Sequence, residues 1–174
     1  RRCYAFFHPV LPEEPLVFIE VALTRGMSAA VQPLLDPHSP IGDVSKANCA
    51  IFYSITNCQE GLKGVSFGNF LIKQVVDDLG RDLPRLNTFA TLSAIPGFCQ
   101  WLRQKEQATV RSRTLDALLG AAQKGRVPDV GAVSGSLRDE ITGHCVEYLL
   151  RARRNGAPVD AVERFHLANG ARLE

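Results

Sequence analysis

A strand, a glycine-bearing turn and a helix follow one another within residues 50–79, and this order constrains the chain more than any other feature. Ala50-Ile51-Phe52-Tyr53-Ser54-Ile55 is a short β-branched and aromatic run with the character of a strand. The passage after it is rich in turn formers and contains Gly61, Gly64 and Gly68. Helical spacing then takes over: Phe67, Leu71, Val75 and Leu79 recur at every fourth position, with Ile72 and Val76 in the next row. So wide an apolar stripe predicts a helix laid on a sheet.

The surrounding chain fits that frame. Residues 16–23, after Pro12 and Pro15, read as a strand with apolar residues on both faces, and 87–92 as a third strand. Residues 33–48 carry Pro33, Pro37, Pro40 and Gly42 and are expected to be largely loop. Pro96 is placed to open a short helix through Trp101-Leu102. The remainder is helical in pattern, over 114–119 and 137–154, with Arg151, Arg153 and Arg154 expected in a last turn that suits the helix dipole.

Composition narrows the class. A chain of 174 residues, 45% apolar and 22% charged, has enough material for one ordinary domain and excludes disordered or fibrous classes. A net charge of +2 gives no argument for nucleic acid as a partner. Five cysteines, odd in number and without CxxC spacing, read as free thiols in a reducing compartment. No apolar stretch approaches the roughly 20 residues of a membrane span. The first and last residues carry no targeting pattern, and both ends look cut from something longer.

The turn before the helix is the first place to look for chemistry. A helix N-terminus offers backbone N–H groups without intrahelical partners, and its dipole favours negative charge. Gly64 and Gly68 let backbone approach a ligand closely, and Lys63 adds a cation, so the unit suits a pyrophosphate. The alternative is a tight strand-to-helix connection that uses glycine for steric reasons alone.

Lys63-Gly64-Val65-Ser66-Phe67-Gly68-Asn69 resembles the acyl-CoA pyrophosphate loop of the GNAT acetyltransferase superfamily, with Ser66 where many members have glycine. Longer segments resemble one family in particular. Arg1 to Pro9 with Glu14-Pro15-Leu16, the strand at 50–55 with Gln59 and Gly61-Leu62, Thr91-Leu92-Ser93-Ala94-Ile95-Pro96-Gly97-Phe98, and Phe165-His166-Leu167-Ala168-Asn169-Gly170-Ala171 are together similar to malonyl-CoA decarboxylases. Ala94 stands where that family usually has proline.

The resemblance implies an α/β (α+β) fold with a GNAT-like central mixed sheet flanked by helices. It covers the catalytic part of family members, which also carry an N-terminal helical domain and continue further, so residues 1–174 are expected to be that catalytic domain, incomplete. It implies decarboxylation of malonyl-CoA to acetyl-CoA without metal or organic cofactor, an acyl-CoA substrate, and no membrane span. Homo-oligomerisation is left open. The expected compartment is the cytoplasm or another reducing one, with mitochondrial matrix and peroxisome compatible. The catalytic pair falls on Ser93 and His166, and acyl-CoA binding on Lys63, Gly64, Val65, Ser66, Phe67, Gly68 and Asn69.

Each assignment has a structural competitor. Ser93 is also placed to be a helix N-cap, and Thr91 is a nearby hydroxyl able to take its role. His166 is also placed to be a hydrogen-bonded core residue. His8 precedes a proline in an expected loop, and His38 and His144 lack neighbours at metal-ligand spacing. Arg151 to Arg154 read as a solvated helix end that could also meet CoA phosphates or a partner. Two other functions share the same features: a GNAT-type acyltransferase using an amine acceptor, and a catalytically silent acyl-CoA-binding or interaction module.

Overall fold

Val17, Ile19 and Val21 have no exposed surface, whereas Phe18 and Glu20 between them are only half-buried. That alternation marks one face of a strand turned to a core. The structure, a computed structural model, describes residues 1–40, 42–62, 65, 67–105, 113–124 and 133–174. It divides into two compact units, Arg1–Ser93 and Ala94–Glu174.

The first unit is a four-stranded mixed sheet in the order β1-β2-β3-β4. Strands β1 (Arg2–His8), β2 (Leu11–Thr24) and β3 (Cys49–Asn57) are antiparallel neighbours, and β4 (Thr88–Thr91) runs parallel to β3. Between β2 and β3 lie a one-turn helix, α1 (Gln32–Leu35), and a 3-10 turn at Val44–Lys46, so 33–48 is largely loop as expected. Helix α2 (Phe67–Asp82) makes the crossover that a parallel β3–β4 pair requires. Its Leu71, Val75 and Leu79 form one buried cluster with Val17, Ile19, Val21, Ala50 and Phe52.

Ala50 and Phe52 reach that cluster through an irregularity. The β2–β3 register pairs Glu20 with Ser54 but Val21 with Phe52, leaving Tyr53 without an opposite residue. One extra residue shifts the alternation by one. Ile55 therefore shares the α2-facing side with Phe52 and Ala50.

Among its described residues the second unit is helical, with one hairpin. Helices α3 (Phe98–Gln104), α4 (Arg113–Gln123) and α5 (Gly135–Arg151) bury Leu102, Leu115, Leu119 and Leu137 together. Ser134 caps α5 by accepting from Leu137 N–H at 3.4 Å. Strands β5 (Arg153–Arg154) and β6 (Ala157–Pro158) then pair around Asn155-Gly156, and α6 (Ala161–Ala168) follows. Asn155 at φ 52° and Gly156 at φ 79° supply the two left-handed residues of a tight hairpin.

Several expectations change here. Arg153 and Arg154 lie in β5, and only Arg151 is in the last turn of α5, because the chain turns at Ala152. Pro96 precedes the N-cap of α3, which is Gly97, so it stands just outside the helix it was expected to open. His8 ends β1, and its Nδ1 accepts from Val10 N–H at 3.2 Å in the turn to β2. β1 has no counterpart among the predicted strands.

Candidate active site

Ser93 closes the first unit. Leu92 N–H donates to Phe52 carbonyl at 2.9 Å, carrying the β3–β4 pairing one residue past β4. Ser93 is the next residue, exposed at the C-terminal end of a sheet strand. The N-cap reading does not hold for α3, whose cap position is taken by Gly97. Thr91 lies inside β4 opposite Phe52 and is half-buried.

The expected acyl-CoA loop is described in part. Lys63, Gly64 and Ser66 lie outside the described residues. Val65 is exposed and donates its N–H to Leu62 carbonyl at 2.9 Å. Phe67 and Asn69, in the first turn of α2, are half-buried, and Gly68 is buried. Gly68 begins the inward row that continues through Leu71, Val75 and Leu79. Its burial in that row gives it a place in the helix's inward face beside any role toward a ligand.

His166 belongs to the second unit, in the last turn of α6, and both ends of that helix are fastened. At the start, Asp160 Oδ1 accepts from Val162 N–H at 2.9 Å and Glu163 N–H at 3.2 Å. At the end, Gly170 takes φ 84°. Its N–H donates to Leu167 carbonyl and Ala171 N–H donates to His166 carbonyl, each at 3.1 Å. These two bonds are the Schellman arrangement, which needs a left-handed residue where Gly170 stands. The segment 165–171 is thus a histidine carried on the stop signal of its own helix.

The imidazole is half-buried, with the Phe165 ring edge-on at 5.1 Å. Burial pulls its pKa below the usual histidine value. The other histidines are elsewhere: His38 is exposed, and His144 Nδ1 stands 4.0 Å from Glu147 Oε2, which also pairs with Lys105. Among the described residues no cluster of three or more His, Cys, Asp or Glu could hold a metal ion. A shallow depression between α2 and β4, lined by Gln74, Asp77, Arg81 and Phe89, contains none of the expected site residues.

Two buried carboxylates on α6 were missed by the sequence reading. Asp160-Ala161-Val162-Glu163 has the spacing of a capping box, which was the available signal. Only half of the box forms. Asp160 caps, while Glu163 turns away to Arg153, whose Nη1 lies 3.3 Å from Oε1. Among the described residues neither Glu163 oxygen has a well-aligned hydrogen-bond partner, and burial pushes its pKa up against the pull of Arg153.

All five cysteines are free, and no helix among the described residues is long and apolar enough to cross a membrane. Residues 1–174 match the family model described as malonyl-CoA decarboxylase C-terminal domain. A crystal structure of malonyl-CoA decarboxylase from Rhodopseudomonas palustris is 45% identical with a TM-score of 0.77, covering 99% of this chain and 40% of that one. The Agrobacterium vitis enzyme is 44% identical with a TM-score of 0.78, covering 99% and 44%. The mitochondrial malonyl-CoA decarboxylase of Anser anser anser is 33% identical over 99% of this chain, which spans 39% of that relative's length. A four-stranded mixed sheet with helices, matching those crystal structures, and a family match over every residue lead to one assignment: the chain belongs to the malonyl-CoA decarboxylase C-terminal domain family.

Proposed function

We propose that this chain carries the groups that convert malonyl-CoA to acetyl-CoA and carbon dioxide. The observation supporting it is the family match over 1–174, which includes both the Ser93 and the His166 segments. As the carboxylate leaves, the pair of electrons from the breaking C–C bond passes into the thioester, giving an enolate. A proton added to that carbon completes acetyl-CoA. The thioester is itself the electron sink, so the proposed step uses no metal or organic cofactor.

In this reading His166 delivers the proton, and Ser93 positions the malonyl carboxylate or relays the proton. A lowered pKa makes the imidazolium a stronger acid and at the same time thins its population at neutral pH. Lys63, Gly64, Val65, Ser66, Phe67, Gly68 and Asn69 bind the CoA pyrophosphate in this reading. There the first N–H groups of α2 have no intrahelical acceptor. Five free thiols and relatives named as mitochondrial support a reducing compartment for this chemistry.

Incubation with malonyl-CoA and no acceptor tests the reading. Acetyl-CoA and carbon dioxide in equal amounts are expected. Release of free CoA only when an amine is supplied would identify an acyltransferase instead. Malonyl-CoA binding without turnover would identify an acyl-CoA-binding module.

A further inference from the structure

Asp160 is 3% exposed, and its two oxygens serve different partners. Oδ1 caps α6 through Val162 and Glu163. Oδ2 accepts from Gly97 N–H at 3.1 Å and from the Tyr148 hydroxyl at 3.3 Å. Helix capping explains the first oxygen only. The second ties α6 to the N-cap of α3 and to the last turns of α5, all within the second unit.

This junction has little freedom. Tyr148 is buried among aromatic rings, with Trp101 at 5.1 Å and Phe98 at 5.9 Å between centroids. A Cβ on Gly97 would fall well inside contact distance of the Tyr148 hydroxyl. Only glycine lets the backbone N–H come close enough to donate to Asp160.

A helix of 8 residues is too short to set its own direction, since isolated helices of that length are marginal in water. Its placement must come from tethers. His166 follows Asp160 by six residues, about 9 Å along the helix axis. A tilt of about 10° at the cap would swing the imidazole by roughly 1.6 Å, and displacements near 1 Å are enough to cost about a hundredfold in rate.

We propose that Asp160 is a positioning residue for the decarboxylation: its second oxygen, held by Gly97 and Tyr148, sets the direction of α6 and so the place of the His166 imidazole. The proposal rests on the reading of His166 as the proton donor. Asp160 touches neither substrate nor reacting atoms in it.

Asp160→Ser separates the two oxygens' tasks, because a serine hydroxyl still caps α6 but is too short to serve Gly97 and Tyr148. In the full chain we expect unchanged far-ultraviolet circular dichroism, faster hydrogen exchange at the Gly97 amide and a shifted His166 ring resonance. We also expect kcat lowered about ten- to a hundredfold, with KM for malonyl-CoA changed less than twofold. Tyr148→Phe, which removes one of the two donors, should give a smaller loss in the same direction, and it carries the test if the serine variant does not fold. Unchanged kcat alongside a faster Gly97 amide would overturn the proposal, as would a kcat loss matched by an equal rise in KM. If the unsubstituted protein shows no turnover, the decarboxylase reading fails by itself. The ring resonance then still decides whether Asp160 sets the histidine's place, and an unmoved resonance would sink that idea.

Discussion

Arg153 Nη1 stands 3.3 Å from Glu163 Oε1, pairing a side chain 31% exposed on the hairpin with a carboxylate side chain 2% exposed on α6. The pair lacks hydrogen-bond alignment, and the second oxygen has no partner among the described residues. Such a pair contributes little beyond what an apolar couple of similar volume would, yet breaking it from one side is costly.

The first prediction follows from that asymmetry. Arg153→Met should lower stability at neutral pH by roughly 2–4 kcal/mol, because it leaves a buried charge alone. Glu163→Met should stay within about 1 kcal/mol of the parent, and the double variant should resemble it. The sign with pH is fixed by the raised Glu163 pKa. The folded protein keeps that proton longer than the unfolded chain does, so stability from this group is full in acid and fades as pH rises through the folded value. Denaturant unfolding of the four proteins at pH 5 and pH 8 checks this. A deficit in Arg153→Met that shrinks on going to pH 8 would refute it.

Gly97 and Tyr148 give a second prediction. Gly97→Ala should destabilise by about 1–3 kcal/mol, the range for overpacking, since Tyr148 is held by Trp101 and Phe98 and cannot retreat freely. Removing the Tyr148 hydroxyl in Gly97→Ala/Tyr148→Phe removes the atom in the way. The double variant should therefore be more stable than the sum of the two single losses predicts, by at least about 0.5 kcal/mol. Additive thermal-unfolding results would mean that the two residues do not meet as described.

What could be read from the residues divides along physical lines. The strand and the helix within 50–79 were legible, the helix because α2 is long and its inward row is nearly all apolar, so periodicity alone exposes it. β1 was not, because Arg2–His8 is mostly half-exposed and has no clean alternation. β3 was legible as a strand but not by face: the extra residue at Tyr53 reverses the parity that a sequence pattern needs. The hairpin at Arg153 was hidden by a run of arginines that suits a helix end equally well, although Asn155-Gly156 is a hairpin signal. For the site, resemblance singled out Ser93 and His166, while Asp160 needed the fold. Its oxygens join residues 63 positions apart in the chain, which no local spacing encodes.

A third prediction concerns His166. His166→Ala should lower kcat by about a hundredfold or more with little change in KM, the scale for losing a general acid. Because burial lowers the pKa, kcat should rise as pH falls below neutrality and level off only below the ordinary histidine value. Stability should respond in the opposite sense. The unfolded chain binds this proton more readily, so acid costs the folded state, and the cost grows as pH falls from the unfolded toward the folded pKa. His166→Gln should therefore gain stability over the parent at pH 5 relative to pH 8. An unchanged rate in the alanine variant would falsify the role.

The last prediction separates packing from phosphate binding at the start of α2. Gly68 is buried in the same row as Leu71, Val75 and Leu79. A bulky residue in that buried row is expected to cost stability even if no ligand ever binds. Leu79→Ala serves as the packing control, expected to lose about 2–5 kcal/mol with KM for malonyl-CoA unchanged, because Leu79 has no exposed surface and lies about three turns from the helix start. Gly68→Val should lose stability as well, and in addition raise KM severalfold in the molecules that remain folded, since backbone approach to the pyrophosphate is blocked. Comparing KM at a temperature well below both unfolding midpoints isolates the second effect. If Gly68→Val behaves like Leu79→Ala, with stability lowered and KM intact, the glycine serves the helix–sheet contact alone, and the grip on CoA must be sought elsewhere in the chain.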